Sequence, residues 1–358
     1  MLRLSSPLIR GIPAKLKRGT VLLGDGNKTW GEIAMRLRSR RQFLNIAAGV
    51  AALPAFSRSV WALDYPTRAV RLIVGFPPGS LSDVMARPLA QWLSQRLGQE
   101  FLVDNKPGAD ENIATEAVVR ASPDGYTLLL VALPNAVNPS LYKSLNFDFI
   151  RDITPVAGIA RSTGVMVVPA SFPAKTIPEF IAYAKSNPGK INMASAGVGS
   201  FPFCAGELFK FKAGVDLVHV PYRGSYVPDL LAGRVQVCFP PAPVVVAQVR
   251  KGNLRALGVT DSKRSTALPD VPTIGEFVPG YEATVWNGVG APKDTPPAIV
   301  EKLNAAVNAA LADPDYQAKL ANIGSTPMAM APTEFGKFVA DETTRWGKIL
   351  QLANVKPQ

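Results

Sequence analysis

Apolar runs that fit buried strands alternate with helix-length segments of mixed polarity in the chain beyond residue 62. Val70–Phe76 predicts a strand, Asp83–Leu97 predicts a helix that Gly98 ends, and Phe101–Asp104 predicts a second strand. A further helical segment leads to a strand at Tyr126–Val131. This order of strand, helix, strand, helix and strand is typical of βαβ units around a parallel sheet.

The same alternation returns in the middle of the chain, and two amphipathic helices follow it. The strands predicted there are Val165–Val168, Ile191–Ser195, Leu217–Val220, Val235–Phe239 and Ala256–Val259. Apolar residues three and four apart predict helices at Pro297–Leu311 and Thr333–Leu352, which we expect to pack on the first group of strands. The pattern predicts an α/β protein with two lobes, each a mainly parallel sheet flanked by helices. We assign residues 63–164 and 286–358 to the first lobe and residues 165–285 to the second.

Residues 35–62 have the three-part layout of an export signal. Ser39-Arg40-Arg41-Gln42-Phe43-Leu44 precedes the apolar stretch from Asn45 to Phe56, and Val60-Trp61-Ala62 provides a cleavage site. The paired arginines followed by Phe-Leu are similar to a twin-arginine signal, and the alternative is a basic segment before a buried helix. We expect residues 1–34 to be an upstream extension, and the mature protein to be periplasmic and to begin at Leu63.

The net charge of +12 is concentrated in the N-terminal part of the chain. Residues 1–62 contain eleven Lys and Arg but only two Asp and Glu, so nine of the twelve net charges lie there. The remaining charge is ordinary for a surface, and no basic run with interleaved aromatic residues indicates a nucleic-acid groove. No later segment reaches the roughly 18 apolar residues of a membrane span, so we expect a soluble mature protein.

Two cysteines, Cys204 and Cys238, and one histidine, His219, limit the chemistry of the chain. Without a CxxC or HxxxH spacing, we expect neither a metal site nor a cofactor. The cysteines could form a disulfide in an oxidising compartment, or remain as buried thiols. With one histidine and no GxSxG turn, we do not expect an enzyme, and a periplasmic hydrolase is retained only as an alternative.

Two turns of small residues each lead from a predicted strand into a predicted helix. The first turn is Phe76-Pro77-Pro78-Gly79-Ser80, with Asp83 soon after it, and the second turn is Ser195-Ala196-Gly197-Val198-Gly199-Ser200. Free backbone N–H groups and the positive end of the helix dipole favour a carboxylate or another anion at such turns. The alternative is a pair of ordinary strand–helix turns, and a nucleotide site is not indicated because the second turn completes no nucleotide-binding glycine motif.

Asp83 has two interpretations at this stage. It is either a pocket acceptor for an ammonium or hydroxyl group of a ligand, or the N-cap of the helix that follows the first turn. One side chain can serve both purposes. We expect His219 to be structural.

Short motifs occur in a fixed order from Tyr65 to the C-terminus. They are Tyr65-Pro66, Phe76-Pro77-Pro78-Gly79 through Asp83, Ala86-Arg87, Asn105-Lys106-Pro107-Gly108, Pro123-Asp124-Gly125-Tyr126-Thr127-Leu128, Asn187-Pro188-Gly189-Lys190, Ser195 through Ser200, His219-Val220-Pro221-Tyr222, Leu268-Pro269-Asp270-Val271-Pro272-Thr273 and Trp286-Asn287-Gly288. This series resembles the tripartite tricarboxylate transporter receptor family, the Bug receptors. The resemblance implies a two-lobed periplasmic binding protein of type II that closes on a small carboxylate and delivers it to membrane transporter subunits. We expect the mature protein to be monomeric.

The resemblance also implies which residues contact the ligand. Carried over position by position, the pocket residues are Phe76, Pro77, Gly79, Ser80 and Asp83 in the first lobe and Ser195, Gly197, Gly199 and Ser200 in the second. An extracytoplasmic sensor that presents its closed form to a signalling partner is the alternative to a transport receptor.

Several positions depart from the pattern of this family. Ser80 replaces the second glycine of the first turn, and Phe203 replaces the histidine expected after the second turn. Gln236 and Pro240 replace acidic residues, and Asp110-Glu111 replaces a glycine pair. We expect these changes to make the pocket wall of the second lobe more apolar. Phe203 is then a further candidate ligand contact, and an aromatic acid is one candidate ligand.

Overall fold

The β-strands of the protein form two separate sheets in a computed structural model that describes residues 64–357. The predicted upstream extension and export signal lie outside the described residues. None of the helices in residues 64–357 has the length and apolar content that a bilayer crossing demands.

Strands and helices alternate along much of the described chain. The strands are β1 (Val70–Val74), β2 (Phe101–Asn105), β3 (Thr127–Ala132), β4 (Ile153–Thr163), β5 (Val165–Pro169), β6 (Asn192–Ser195), β7 (Val218–Pro221), β8 (Val237–Cys238), β9 (Leu254–Val259), β10 (Thr284–Pro292) and β11 (Ser325–Pro327). The helices are α1 (Leu81–Leu97), α2 (Asn112–Val119), α3 (Leu133–Leu141), α4 (Phe149–Asp152), α5 (Ile177–Ser186), α6 (Phe201–Ala213), α7 (Val227–Leu231), α8 (Ala242–Arg250), α9 (Pro297–Ala312), α10 (Pro314–Asn322) and α11 (Pro332–Leu352).

The first sheet has six strands in the order β11-β4-β10-β3-β1-β2 and is buried on both faces. Leu72 of β1 points into a cluster with side chains of α1, α9 and α10, whereas its neighbour Ile73 points into a cluster with side chains of α2, α3 and α11. Successive residues of a strand face opposite sides of the sheet. Because helices cover both faces, the residues on both sides are buried, which explains the nearly continuous apolar runs of β1 and β3. The two C-terminal helices therefore pack on the first sheet, as expected.

The second sheet has five strands in the order β7-β6-β8-β5-β9 and is also covered on both faces. Phe180 of α5 and Phe209 of α6 belong to the buried cluster on one face. Leu230 of α7 and Val245 of α8 belong to the cluster on the other. Each sheet thus has helices on both sides, and we call the parts built on the two sheets the first and second lobes.

Both sheets are mixed, so the prediction of mainly parallel sheets is wrong. In the first sheet β1, β2 and β3 are parallel, but β10 is antiparallel to β3 and β4, and β11 is antiparallel to β4. In the second sheet β6, β7 and β8 are parallel, but β5 is antiparallel to β8 and β9. The strands β5 and β10 are each the first strand after the chain changes sheets, and antiparallel pairing needs no crossover helix.

The chain crosses between the sheets at two adjacent segments that bind each other. Gly164, between β4 and β5, donates its N–H to Thr260 Oγ1 (2.8 Å) and accepts the N–H of Thr260 (2.9 Å). A Cβ built on Gly164 would lie 2.5 Å from the ring of Phe201. The crossing is therefore tightly packed, and glycine is required at this position.

A buried glutamate fixes the C-terminal helix to the first sheet. Glu342 of α11 accepts hydrogen bonds at Oε2 from the indole N–H groups of Trp286 on β10 (3.0 Å) and Trp346 (3.0 Å). Arg345 donates to its other oxygen (2.9 Å). A buried carboxylate with this many donors is satisfied, and it holds α11 against a central strand.

Candidate functional site

The first turn joins β1 to α1 and ends at a capped helix. Ser80 is the N-cap, and its Oγ accepts a hydrogen bond from the backbone N–H of Asp83 (3.3 Å). Gly79 before it has a φ of +81°, which glycine adopts without steric cost. The interpretation of Asp83 as the N-cap is therefore wrong, because Ser80 caps the helix and Asp83 lies inside its first turn.

Protein donors fill the hydrogen-bonding positions of the Asp83 carboxylate. Gly79 N–H and Arg87 Nε donate to Oδ2 (both 2.9 Å). Arg87 Nη2 (2.8 Å) and Asn105 Nδ2 (2.9 Å) donate to Oδ1. Burial acts to raise the pKa of Asp83, but these hydrogen bonds outweigh it and hold the pKa below its ordinary value. Because a carboxylate offers about four acceptor positions, Asp83 shapes the first turn and keeps none free.

The second turn joins β6 to α6 and is closed by its own serines. Ser195 Oγ accepts the N–H of Gly197 (3.0 Å), and Ser200 Oγ donates to the carbonyl oxygen of Gly197 (2.6 Å). Gly197 and Gly199 have φ values of +114° and +89°, where other residues are strained. The two glycines therefore set the path of the backbone into the N-terminus of α6.

Backbone N–H groups directly after the first turn and within the second turn lack a protein acceptor. No atom of residues 64–357 accepts a hydrogen bond from the N–H of Leu81 or Ser82 at the start of α1. The same is true of Val198 and Gly199, just before α6. Unpaired N–H groups at a helix N-terminus carry the positive end of the helix dipole, so each turn can bind an anion.

Residues of the first lobe contact the second turn. A Cβ built on Gly199 would lie 3.0 Å from Leu141 Cδ1 and 3.3 Å from Asn138 Oδ1, both on α3. A Cβ built on Gly197 would lie 3.6 Å from Asp110 Oδ1, in the segment before α2. We call this region, bounded by the two turns, residues 110–111 and Asn138, the interlobe site.

Two acidic residues enter the interlobe site on a strained backbone. Ala109, Asp110 and Glu111 have φ values of +45°, +48° and +72°, a conformation that costs about 1–2 kcal/mol for each residue with a side chain. Tyr142 OH donates to Asp110 Oδ2 (2.9 Å). Burial raises the pKa of Asp110, and the Tyr142 hydrogen bond opposes that rise. Burial, and then the charge of Asp110, raises the pKa of Glu111 well above its ordinary value.

Three residues of the interlobe site, Asp110, Glu111 and Asn138, were not predicted from the sequence. Neither was Asn287 of β10, whose Nδ2 donates to Ser82 Oγ at the start of α1 (3.2 Å). The only sequence signal for the acidic pair is its replacement of a glycine pair in the family pattern, and a more apolar wall was the expected effect of these departures. The two asparagines gave no chemical signal of their own. The interlobe site is thus more polar than expected.

A histidine and a phenylalanine stabilise the second turn from behind. His219 Nε2 lies 2.6 Å from Ser195 Oγ, and the Phe203 and His219 ring centroids are 4.8 Å apart. Burial, followed by the charge of Lys210, lowers the pKa of His219, so the neutral ring can accept the Ser195 hydroxyl hydrogen. Phe203 is 4% exposed and lies in the core next to His219. The histidine therefore has the structural position expected of it.

The two cysteines are buried, unpaired thiols. Cys204 Sγ donates to Gly199 O (3.6 Å) and Cys238 Sγ donates to Ala194 O (3.2 Å). Burial raises the pKa of both thiols. The disulfide considered from the sequence is not formed. Within residues 64–357, no three His, Cys, Asp or Glu side chains are grouped in a way that could hold a metal ion.

Comparison with known proteins identifies the family. The sequence profile described as tripartite tricarboxylate transporter family receptor matches residues 85–355. The chain belongs to the tripartite tricarboxylate transporter receptor family. The resemblance found in the sequence motifs is thereby confirmed. Protein BugT of Bordetella pertussis is 38% identical over 314 residues, which are 86% of this chain and 94% of BugT.

Solved structures of this receptor family share the fold. Rpa4515 of R. palustris, solved with adipate, is 36% identical and superposes with a TM-score of 0.77 over 82% of this chain and 100% of its own. MatC (Rpa3494) from Rhodopseudomonas palustris, solved with bound malate, is 31% identical with a TM-score of 0.74 over 80% of this chain and 100% of its own. The two-lobed α/β fold of a periplasmic binding protein is therefore confirmed. Receptors of this family are periplasmic solute-binding proteins.

Proposed function

We propose that this receptor binds a small organic acid between its two lobes, with a ligand carboxylate at the N–H groups of the first and second turns. The observation that carries the proposal is the set of free backbone donors at Leu81 and Ser82, at the start of α1, and at Val198 and Gly199, just before α6. Donors of this kind gain most from a group with a full negative charge.

The pocket residues named from the sequence have different roles in this proposal. The residues proposed to line the ligand are Phe76, Pro77, Gly79, Ser80, Ser195, Gly197, Gly199 and Ser200. Asp83 and His219 act indirectly, because their polar atoms hold the two turns in shape. Phe203 supports His219 and contributes apolar surface behind the second turn.

The receptor is proposed to act in the periplasm, exported by the twin-arginine route, and to deliver its ligand to membrane subunits of a tripartite transporter. Related structures with adipate and malate support a small acid as the ligand. Ser195 and His219 lie within hydrogen-bonding distance, but Ser195 is fully buried and its Oγ also accepts the Gly197 N–H. This pair therefore supports the turn, and no catalytic step is needed.

Ligand binding is proposed to close the lobes about the two crossing segments at Gly164 and Thr260. A ligand that contacts both turns stabilises the closed form, since the open form offers only one turn at a time.

A thermal-shift screen of the protein with linear and hydroxylated dicarboxylates, aromatic acids and amino acids tests the proposal. We expect at least one carboxylate to raise the melting temperature, while the matching alcohol or amide without a carboxylate does not. The proposal fails if the protein is folded by circular dichroism and no carboxylate in the panel stabilises it.

A further inference from the structure

Glu111 is a buried carboxyl group that no protein donor contacts. The residue is 1% exposed, and neither Oε1 nor Oε2 has a hydrogen-bond partner among residues 64–357. Its side chain packs where the first turn begins, because a Cβ built on Gly75 would lie 2.6 Å from Glu111 Cγ. A buried carboxyl without donors is rare and costly, so it points to a donor supplied by a ligand.

Asn138 and Asn287 also keep a buried oxygen without a donor. Both residues are 1% exposed, and neither Oδ1 has a partner in the described chain. Asn138 Nδ2 donates to Asp110 O (2.6 Å), and Asn287 Nδ2 donates to Val131 O (3.5 Å). A backbone carbonyl oxygen only accepts hydrogen bonds, so the atom that contacts it must be Nδ2. These contacts therefore fix the orientation of both side-chain amides and leave each Oδ1 as a free acceptor.

Buried side chains in and around the interlobe site therefore offer more free acceptors than free donors. The two oxygens of Glu111 and the Oδ1 atoms of Asn138 and Asn287 lack donors, whereas Nδ2 of Asn112 is the one unpartnered nitrogen among these side chains. The free donors of the region are instead backbone N–H groups in the two turns. A ligand that carries both an anionic group and several N–H donors matches this distribution.

We propose that Glu111, assisted by Asp110 and Asn138, binds a protonated amino group of the ligand, so that the receptor selects amino-substituted organic acids over plain dicarboxylates. This inference rests on the proposed function, because the turns must hold the carboxylate of the same ligand. Asp110 adds a second negative charge, and its Oδ1 is directed toward Gly197 of the second turn. Asn138 Oδ1 is close to Gly199.

The backbone conformation of Asp110 and Glu111 indicates that their side chains have a function. Asp110 and Glu111 both have positive φ values, which glycine would adopt without strain. Strain of this kind is maintained where the surrounding structure needs a particular side chain in a particular place. Here the strained segment places the Asp110 carboxyl beside Gly197 of the second turn and the Glu111 side chain against Gly75, just before the first turn.

Release or uptake of a proton on binding distinguishes an amino-substituted acid from a dicarboxylate as the ligand. Glu111 faces Asp110, which Tyr142 contacts, while the Asp83 carboxylate at the first turn is neutralised by Arg87. In the free protein, burial and the charge of Asp110 raise the pKa of Glu111. An ammonium group next to Glu111 favours its ionised form, so binding releases a proton and strengthens as pH rises. A second ligand carboxylate would require Glu111 to keep its proton, so binding would weaken as pH rises.

Isothermal titration of the protein with matched ligands tests the proposal. The pairs are adipate with 2-aminoadipate and succinate with aspartate, each titrated in two buffers with different ionisation enthalpies. We expect the amino acid of at least one pair to bind tenfold or more tightly than its partner and to release a proton. Glu111→Gln should abolish the proton release and most of the preference, whereas the control Glu116→Gln on α2, at a surface ion pair with Arg120, should keep both.

Three results would overturn the proposal. They are tighter binding of the dicarboxylate in both pairs, proton uptake on binding, or an unchanged preference in Glu111→Gln. If Glu111→Gln does not fold, Asp110→Asn provides the same comparison and should weaken only the amino acid. Carboxylate binding without preference contradicts this inference alone, whereas the absence of binding by any acid contradicts the proposed function as well.

Discussion

The unpartnered carboxyl of Glu111 makes the stability of the protein depend on pH. Burial and the charge of Asp110 raise its pKa in the folded protein, whereas the unfolded value is about 4.3. The folded state therefore binds this proton more tightly than the unfolded state. The contribution of Glu111 to the free energy of unfolding is most favourable below about pH 4 and is lost as pH rises through the folded-state pKa.

Glu111→Gln should stabilise the free protein at neutral and alkaline pH. A glutamine is neutral at every pH, so the gain should be about 1–3 kcal/mol at pH 8 and should disappear near pH 4. Urea unfolding of the two proteins at pH 4, 6 and 8 measures the difference. A gain that is the same at all three pH values would show that Glu111 does not titrate as described.

Asp83 has the opposite effect on the pH dependence of stability, because its pKa is held below the ordinary value. Its contribution to stability is complete above the unfolded pKa of about 3.9 and is lost as pH falls through the folded value. Asp83→Asn should lower the free energy of unfolding by about 2 kcal/mol at pH 7, because an amide cannot accept all the bonds from Gly79, Arg87 and Asn105. The difference should narrow in acid.

A matched control for Asp83 lies on the surface of α11. Asp341 pairs with Lys337 at 2.6 Å, but both side chains are well exposed. Asp341→Asn should change the free energy of unfolding by less than about 0.5 kcal/mol at pH 7. Equal losses for the two substitutions in urea unfolding would contradict the role given to Asp83.

At the scale of elements, the second turn contains a glycine at which an added methyl group would meet residues of the first lobe. Gly199 has a φ of +89°, and an added Cβ would meet Leu141 at 3.0 Å and Asn138 at 3.3 Å. Gly214 ends α6, the helix that follows this turn, with a φ of +63°. An added Cβ there would have no atom within 4 Å. The two positions share the backbone requirement and differ in their surroundings.

Alanine substitutions at Gly199 and Gly214 should therefore distinguish an effect on stability from an effect on ligand affinity. Both Gly199→Ala and Gly214→Ala should cost about 1–2 kcal/mol of stability from the backbone conformation, and Gly199→Ala should cost more because its Cβ meets Leu141 and Asn138. Only Gly199→Ala should weaken binding of the ligand with the largest thermal shift, on the order of tenfold or more, which is about 1.4 kcal/mol. Calorimetric titration of both variants checks this. Equal affinities would remove the second turn from the binding site.

Elements with local end signals were predicted well from the sequence. The predicted helix Asp83–Leu97 is observed at Leu81–Leu97, and the predicted Thr333–Leu352 is observed at Pro332–Leu352. Capping residues, glycine after the helix end and apolar spacing act within a few residues, so they can be read directly.

Strands β4 and β10 were not predicted, although they lie inside the first sheet. Both contain glycines that break the apolar pattern, and these glycines exist because the sheet packs closely. A Cβ built on Gly290 would lie 2.6 Å from Ile153, at the start of the neighbouring strand. The need for glycine comes from tertiary contacts, which no local pattern contains.

The candidate site shows the same division between local and long-range information. The two turns were predicted because each is a continuous strand–turn–helix segment. The acceptors of Asn138 and Asn287 come from α3 and β10, which are far apart in sequence and meet only in the folded chain. Their role depends on unpaired atoms, which residue type does not reveal.

At the scale of the whole molecule, the proposed mechanism requires the two lobes to change their separation. The crossing at Gly164 and Thr260 is short and hydrogen-bonded, so motion is expected as rotation about these segments. Small-angle scattering should show a smaller radius of gyration with saturating ligand than without it. An unchanged radius in the presence of a ligand that binds would contradict closure.

A crystal structure of the protein with its best-binding acid tests the central claim most directly. The account predicts a ligand carboxylate between the lobes, with its oxygens about 3 Å from backbone N–H groups of both the first and the second turn. A ligand that contacts one lobe only, or that lies in the apolar groove beside Met85, Pro88 and Tyr316, would contradict it.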